Sequence, residues 1–505
     1  MTDVHRDKWK AAIDDELSSL IENDTFEFTT LPEGKRLIGS RYVFAYKAPP
    51  QVETERFKAR LVARGFTQRY GEDYNETYAP VVRMDSIRFM LAYAANRNFN
   101  IAQFDVRNAF LYGSLKEDIY MACPPGLSDR SGKEMKILKL KKSLYGLKQS
   151  PRCWNDKYKE FLFRFCLKQS KVDECIFYGR FHGHELYLTL YVDDGLLFSS
   201  SNEIIDQFLN EMEQTFKITR SSGSYFVGME IERDREKKTL KISQTAYVKK
   251  VLDRFKALNP KKSDTPVESG QVLSKEGVGD DVDPRLYREL VGSLMYLSTI
   301  SRPDLAFAVN HVARFMQTPK QSHFSAAVKI LGYLSTTVSH GITYDGSLKF
   351  KIDGYCDSDY AMDPDTRWST TGYVFLASGA PIVWSSQRQH LVCSSTCQAE
   401  YVALASAGKE SEWLRQVKKI VRTKKSDLVT AIYCDNQSAI ALAENNSSNK
   451  RTKHFEVRFH FIRELLERKR VNVEYISTDQ QAADIFTKGL PRVRFKEILK
   501  LINVN

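Results

Sequence analysis

The chain reads as an α+β protein built in three blocks, and three observations carry that reading. Strand-like and helix-like periodicities are mixed over residues 1–235, helical spacing dominates 236–345, and a pattern of strands interleaved with helices fills 346–505. At 505 residues the chain also exceeds what one core can organise, which suggests roughly three or four domains. Apolar residues make up 42% and aromatic residues 12%, a composition that suits packed domains and argues against long disordered stretches.

In the first block, alternation of apolar and polar residues predicts hairpins at Arg41 to Arg64 and at Glu185 to Phe198. In the second, Val248, Val251, Leu252 and Phe255 fall at helical spacing, and Ser263 to Pro284, rich in Ser, Gly, Asp and Pro, reads as a loop or linker. The third block runs strand, hairpin, helix, strand, helix, strand, helix, which predicts a mixed sheet flanked by helices.

The 75 Lys and Arg against 63 Asp and Glu give a net charge of +12, spread along the chain, so a polyanion is the expected partner. Eight scattered cysteines without a CxxC pair fit a reducing compartment. His390, Cys393 and Cys397 lie close together but lack a fourth ligand and a zinc-site spacing, so buried, inert cysteines are the stronger reading. The polar amino terminus carries no signal peptide, and no apolar run spans a bilayer. A soluble protein without membrane partners is expected.

Two carboxylate clusters stand out. In HELYLTLYVDDGLLFS, residues 184–199, Leu186, Leu188, Leu190 and Val192 share one face and Tyr187, Thr189, Tyr191 and Asp193 the other. Adjacent Asp193 and Asp194 at a turn repel each other unless a cation lies between them, although Asp194-Gly195 is by itself an equally good turn signal. In NIAQFDVRNAFLYG, residues 100–113, Asp105 projects from a second strand, opposite in face to Ala102, Phe104 and Val106. If the two strands are neighbours, Asp105 and Asp193 can hold two divalent ions about 4 Å apart for phosphoryl transfer.

The second cluster draws on four elements. Asp357 ends a strand in DGYCDSDYA, Glu400 opens a helix in QAEYVALASAGKE, Asp435 ends a strand in AIYCDNQSAI, and Asp484 opens a helix in QQAADIFTKGL. Strand ends and helix starts converge at one rim of an α/β sheet, where four carboxylates could hold two Mg²⁺ ions and activate a water against a phosphodiester. Each residue taken singly is more often a cap or turn residue.

The first block resembles the reverse transcriptase of copia-type LTR retrotransposons in five ordered stretches: KARLVARGFTQ at 58–68, YAPVVRMDSIR at 78–88, QFDVRNAFLYG at 103–113, SLYGLKQSPRCW at 143–154, and YVDD at 191–194. The resemblance implies a right-hand polymerase of fingers, palm and thumb, with Asp105, Asp193 and Asp194 as the palm triad. It implies that Lys58 and Arg60, two apart on one strand face, grip a nucleoside triphosphate. Phe110 would exclude the ribose 2′-hydroxyl, with an ordinary core phenylalanine as the competing reading. Tyr145, Gly146, Ser150 and Pro151 would line the nucleotide and template pocket, and FVGME at 226–230 would hold the primer end. Residues 287–309 resemble the connection segment, and the third block resembles the ribonuclease H domain that follows, including KRTKHFEVRFHFIRE at 450–464 with His454 and His460.

By the same resemblance the activity is that of an RNA- and DNA-dependent DNA polymerase, coupled to cleavage of RNA in RNA–DNA hybrids. It would use Mg²⁺ or Mn²⁺, two ions per site, with RNA template, DNA primer, RNA–DNA hybrid and dNTPs as partners. A longer Pol polyprotein with protease and integrase would surround it, and a cytoplasmic virus-like particle would house it, its products bound for the nucleus. The competing class is a domesticated or decayed element that binds nucleic acid without catalysis. Two departures are visible: Gly195 stands where the family carries a bulky apolar residue, which predicts looser packing under the hairpin, and Gln398 stands where an acidic residue is usual.

Overall fold

A computed structural model describes residues 5–47, 55–127, 137–421, 428–444 and 456–505. The chain folds into mixed helices and sheets. Near its start, the helix Arg6–Glu22 lies on the hairpin of Ser40–Lys47 and Arg56–Ala63, the hairpin expected from the sequence. Leu17 and Leu20 of the helix share a core with Leu61 and Ala63 of the hairpin and with Ile38.

The six-stranded sheet that follows runs Ile218–Ser221, Asn100–Val106, Asp194–Ser199, His184–Tyr191, Ile176–Phe181, Lys168–Gln169. Its strands are apolar on both sides because both sides are covered. Leu186, Leu188, Leu190, Phe104 and Val106 pack with Trp154, Tyr158 and Phe161 of the helix Ser150–Arg164 and with the helix Asn202–Glu213. Tyr187, Leu196 and Phe198 face the opposite way, against Phe89 and Tyr93 of the helix Met84–Asn96.

A four-stranded sheet of Tyr225–Phe226, Met229–Asp234, Thr239–Ser243 and Gly341–Asp345 ties the ends of the helical middle together. The expected division at 235 therefore falls inside one hairpin. Between these strands lie the helices Thr245–Arg254, Pro284–Ile300, Ala306–Ala313 and Gln321–Thr336. Asp283 caps the second of them by accepting from the Arg285 amide, with Pro284 in its first turn. The segment 263–283 has neither helix nor strand, as its composition predicts, yet it is tied down: Asp264 pairs with Arg492 and Lys496 and the Lys275 amide donates to Asp365 at 2.7 Å.

The third block holds a five-stranded sheet ordered Ala380–Arg388, Thr370–Ala377, Ile352–Ser358, Thr430–Cys434, Val471–Tyr475. The first three strands are antiparallel and the last two join in parallel, so the carboxyl ends of Ile352–Ser358 and Thr430–Cys434 lie side by side. The helix Thr396–Lys418 packs on this sheet. One apolar core runs from Val82 to Val504, and Arg88 crosses it. The fully buried guanidinium pairs with Asp85, lies 3.8 Å from the Trp384 ring centroid, and donates to the carbonyls of Thr299, Ile300 and Ile382.

Candidate active sites

The first carboxylate cluster is assembled by strand register. Asp194 pairs with Tyr191 across a hairpin and with Asp105 on the neighbouring strand. Val192 and Asp193 form the hairpin tip. Asp105, Asp193 and Asp194 each bring a carboxylate oxygen to within 4.8 Å of the others. Burial raises the Asp193 carboxyl above its usual range and the charge of Asp105 adds to it, while Arg60 and Lys58 pull it down.

The tip is held by its backbone. Val192 takes φ +59°, an unfavourable conformation for a β-branched residue, and its carbonyl accepts from Trp154 Nε1 at 2.7 Å. The Asp193 carbonyl accepts from the Val106 amide at 3.0 Å. The turn thus sits two residues earlier than the Asp194-Gly195 signal suggests. Gly195 is buried mid-strand opposite Leu190 and Phe104, and a Cβ there would overlap the Phe104 ring. Packing under the hairpin is full, contrary to the looseness expected, because Phe104 occupies the space a side chain would take.

A cleft of about 500 Å³ is lined by Asp105 and Asp193 of the triad together with Lys58, Arg60 and Tyr145. Burial and the neighbouring Arg60 and Arg56 lower the Lys58 pKa, with Glu16 and Asp105 opposing. Arg60 lies over the Tyr145 ring at 5.0 Å, and burial raises the Tyr145 phenol to about 12. Phe110 is half-buried, edge-on to Tyr145 with centroids 4.9 Å apart. Gly146 has φ +92° and lets its turn press on the Ala63 carbonyl, while the Ala63 amide donates to Tyr145.

Ser150 and Pro151 differ from their expected place. Ser150 is fully buried and donates to the Leu144 carbonyl at 2.6 Å, and Pro151 starts the helix Ser150–Arg164, so both shape the turn carrying Tyr145 and neither lines the cleft. Glu16, not anticipated, is buried at the cleft floor and accepts from the Leu61 amide at 2.9 Å. Burial raises its pKa, offset by that hydrogen bond and by Lys58 and Arg60. In FVGME, Val227 and Gly228 form a tight turn with positive φ at both, pressed against the Tyr296 hydroxyl.

In the third block, Asp357 lies near the end of its strand, Asp435 directly follows Cys434, and Glu400 is in the first turns of its helix. Asp484 lies inside the short 3₁₀ helix Ala482–Phe486. Asp357, Glu400 and Asp484 are buried. Burial raises the Asp357 carboxyl to about 6, opposed by Lys488 and reinforced by Asp484 and Asp435. Burial likewise holds Glu400 well above the usual range, with Asp357, Cys434 and Asp435 adding to it. The Ser358 amide donates to Glu400 at 3.3 Å, Thr478 to Asp435 at 2.8 Å, and Thr487 to Asp357. Lys488, also unanticipated, lies 2.7 Å from Asp484 and 3.7 Å from Asp357. Its only signal in the sequence is its position four residues after Asp484.

Both clusters fit hard divalent cations: their donors are carboxylate oxygens, and like-charged groups held out of water need a counter-charge. In the third block the donors brought within 4.8 Å of one another are Glu400, Asp435 and the Cys434 sulfur, with Asp357 and Asp484 outside that group. Among the described residues these are the two places where such groups converge, so His390, Cys393 and Cys397 form no metal cluster. Cys393 is buried. Gln398 accepts from the Ser394 amide and hydroxyl, a role at the helix start and not in the cluster. His454 lies outside the described residues, as does the side chain of His460.

Residues 23–269 match the family model for reverse transcriptase (RNA-dependent DNA polymerase). The chain is 38% identical over 502 residues to the retrovirus-related Pol polyprotein from transposon TNT 1-94 of Nicotiana tabacum, a match covering 98% of this chain and 38% of that protein. To the retrovirus-related Pol polyprotein from transposon RE1 of Arabidopsis thaliana it is 35% identical over 500 residues, covering 99% and 34%. To the transposon Ty1-DR6 Gag-Pol polyprotein of Saccharomyces cerevisiae it is 27% identical over 522 residues, covering 97% and 28%. The chain thus spans about a third of the length of the curated relatives it matches. A solved ribonuclease H domain from Mycobacterium tuberculosis, fused to maltose binding protein, aligns with 30% of this chain and 98% of its own, at 13% identity and a TM-score of 0.22, too low to equate the folds.

Proposed function

The chain belongs to the copia-type retrotransposon Pol polyproteins, with a reverse transcriptase domain over residues 23–269, and from that premise we propose that it is an RNA- and DNA-dependent DNA polymerase whose third block cleaves the RNA strand of the hybrid it makes. One observation carries the reading: the paired register of Asp105 and Asp194, with Asp193 at the adjoining tip, gathers three carboxylates, two of which line a cleft shared with Lys58 and Arg60. Anionic groups facing cationic ones across a solvent-open gap suit a substrate that is itself a polyphosphate.

Divalent ions, Mg²⁺ or Mn²⁺, held two to each cluster would supply the Lewis acidity that favours an oxygen nucleophile and a charged leaving oxygen. In the polymerase, Lys58 and Arg60 draw in the triphosphate of a dNTP, with Arg60 aligned by the Tyr145 face. The Phe110 ring, braced edge-on by Tyr145, crowds the sugar 2′ position and so selects deoxyribonucleotides. The six-stranded sheet acts as palm, the amino-terminal hairpin as fingers and the helical middle as thumb and connection. In the nuclease, Asp357, Glu400, Asp435 and Asp484 act together on a water that attacks the RNA phosphodiester and leaves a 3′-hydroxyl, with Thr487 and Ser358 orienting Asp357 and Glu400. The remaining length of the relatives supports a longer Pol polyprotein, with protease and integrase as partners.

The test is extension of a DNA primer on an RNA template with Mg²⁺ and dNTPs. Wild-type chain should extend, and Asp193→Asn should be inert while still binding hybrid. Equal inertness of both folded proteins sinks the polymerase reading. Asp435→Asn should abolish RNA cleavage and spare extension.

A further inference from the structure

The four carboxylates of the third block are not equivalent in their partners. Glu400 and Asp435 are met by neutral donors, the Ser358 amide and the Thr478 hydroxyl, and among the described residues neither has an ion pair. Asp357 and Asp484 are bridged by a cation: the Lys488 ammonium lies 2.7 Å from Asp484 Oδ1 and 3.7 Å from Asp357 Oδ2. Arg494 reaches the other oxygen of Asp484 at 3.4 Å. The chain thus supplies a counter-cation to one half of the cluster and, among the described residues, none to the other.

Lys488 also has somewhere else to go. It lines a small cavity of about 50 Å³, shared with Asp359, Asp363, His311 and Arg314, in which Arg314 pairs with Asp363 at 3.1 Å and leaves Asp359 without an ion pair among the described residues. Asp359 there is buried and accepts the backbone amides of Met362 and Thr370, one on each oxygen, so both oxygens retain capacity for an ammonium. Asp105 and Asp193 have no such bridge. Among the described residues no lysine or arginine lies within ion-pair distance of either, and Lys58 and Arg60 stand across the cleft.

We propose that Lys488 is a positioning residue acting as a resident counter-cation, holding the place of one divalent ion between Asp357 and Asp484 and swinging toward the small cavity when that ion binds. The inference rests on the nuclease reading above. Its consequence is that the nuclease needs a higher divalent-ion concentration than the polymerase of the same chain, because one ion must first displace an ammonium.

The test measures binding directly, by electron paramagnetic resonance of free Mn²⁺ titrated into the full chain carrying Asp105→Asn and Asp193→Asn, so that bound ions report the third block. In that background Lys488→Met should tighten the weaker of the two Mn²⁺ sites by about tenfold, and Lys488→Arg should leave it as in the parent. The difference should survive about 1 M KCl, where the screening length is about 3 Å and only contact competition remains. Without Mn²⁺, Lys488→Met should melt earlier than the parent, and saturating Mn²⁺ should close the gap. Unchanged affinity, or a gain that salt erases, overturns the proposal. Lys488→Gln replaces Lys488→Met if the latter does not fold. If Asp435→Asn leaves Mn²⁺ binding in this background unchanged, the nuclease reading itself fails, a result separable from failure of the Lys488 proposal.

Discussion

The ring of Phe104 fills the space beside Gly195, directly beneath the tip that carries Asp193. A side chain at 195 must push either that ring or the hairpin. Gly195→Leu should therefore destabilise the chain by about 1–3 kcal/mol in urea unfolding and lower primer extension. Phe104→Ala alone opens a cavity, at about 3–5 kcal/mol. The double variant should cost less than the sum of the two, and strict additivity would show that the residues do not compete for one space.

Arg88 is the second test of the architecture. Its guanidinium is buried with Asp85 and three carbonyls from the second and third blocks, so Arg88→Met leaves those acceptors without their donor. A loss of about 3 kcal/mol or more is expected, with primer extension and RNA cleavage declining together on warming. A variant that loses cleavage alone at its lower melting temperature would show that the blocks are coupled less tightly than this contact requires.

The pH dependence has a defined sign. Burial raises the Asp357 carboxyl to about 6 in the folded chain, above its ordinary 3.8, so folding favours the protonated form. The stability this contributes is complete below about pH 3.8 and is lost as the pH rises through about 6, an effect of order 2 to 3 kcal/mol. Asp357→Asn should flatten that slope in metal-free buffer and raise the melting temperature at pH 7. Added Mg²⁺ should flatten it in the wild type. A wild-type chain whose metal-free stability climbs between pH 4 and 6 by the same amount in both proteins would contradict the assignment.

Phe110 stands edge-on to Tyr145, which is in turn held under Arg60. Phe110→Val should relax discrimination against ribonucleotides by about tenfold or more in competition assays, by removing a steric wall worth at least about 1.4 kcal/mol. Gly146→Ala should instead raise the KM for dNTPs, since a Cβ at that position collides with the Ala63 carbonyl and tilts Tyr145. An unchanged dNTP preference in Phe110→Val returns the ring to a packing role.

Much of this is legible in the residues. Alternation in 100–106 and 184–191 identifies which side chains share a face, and the two strands are indeed joined through the strand Asp194–Ser199 of the same sheet. The hairpin tip lies two residues earlier than its sequence signal because Val192 adopts a left-handed conformation that β-branched residues avoid, so the favourable Asp194-Gly195 pair looks like the turn. Glu16 gives no local signal: its partner amide belongs to Leu61, 45 residues on, and a carboxylate on an amphipathic helix is normally a solvent-facing one. Ser150 looks like a pocket residue because its neighbours are, and only its buried bond to Leu144 shows it acting on the turn. The boundary at 235 falls in the hairpin of Met229–Asp234 and Thr239–Ser243, and the further pairing of Thr239–Ser243 with Gly341–Asp345, about a hundred residues on, leaves no mark in composition.

The buried span of Arg88 also bears on how the chain comes off the ribosome. Helix Met84–Asn96 is made early, but Trp384, which covers Arg88, follows roughly 300 residues later, tens of seconds at about 5–20 residues per second. Through that interval the apolar face of the helix that later receives the third block has no native cover. Nascent chains stalled before Trp384 should accordingly recruit holding chaperones and remain sensitive to protease near residue 88, and the newborn chain should reach its native packing only when its last third has emerged.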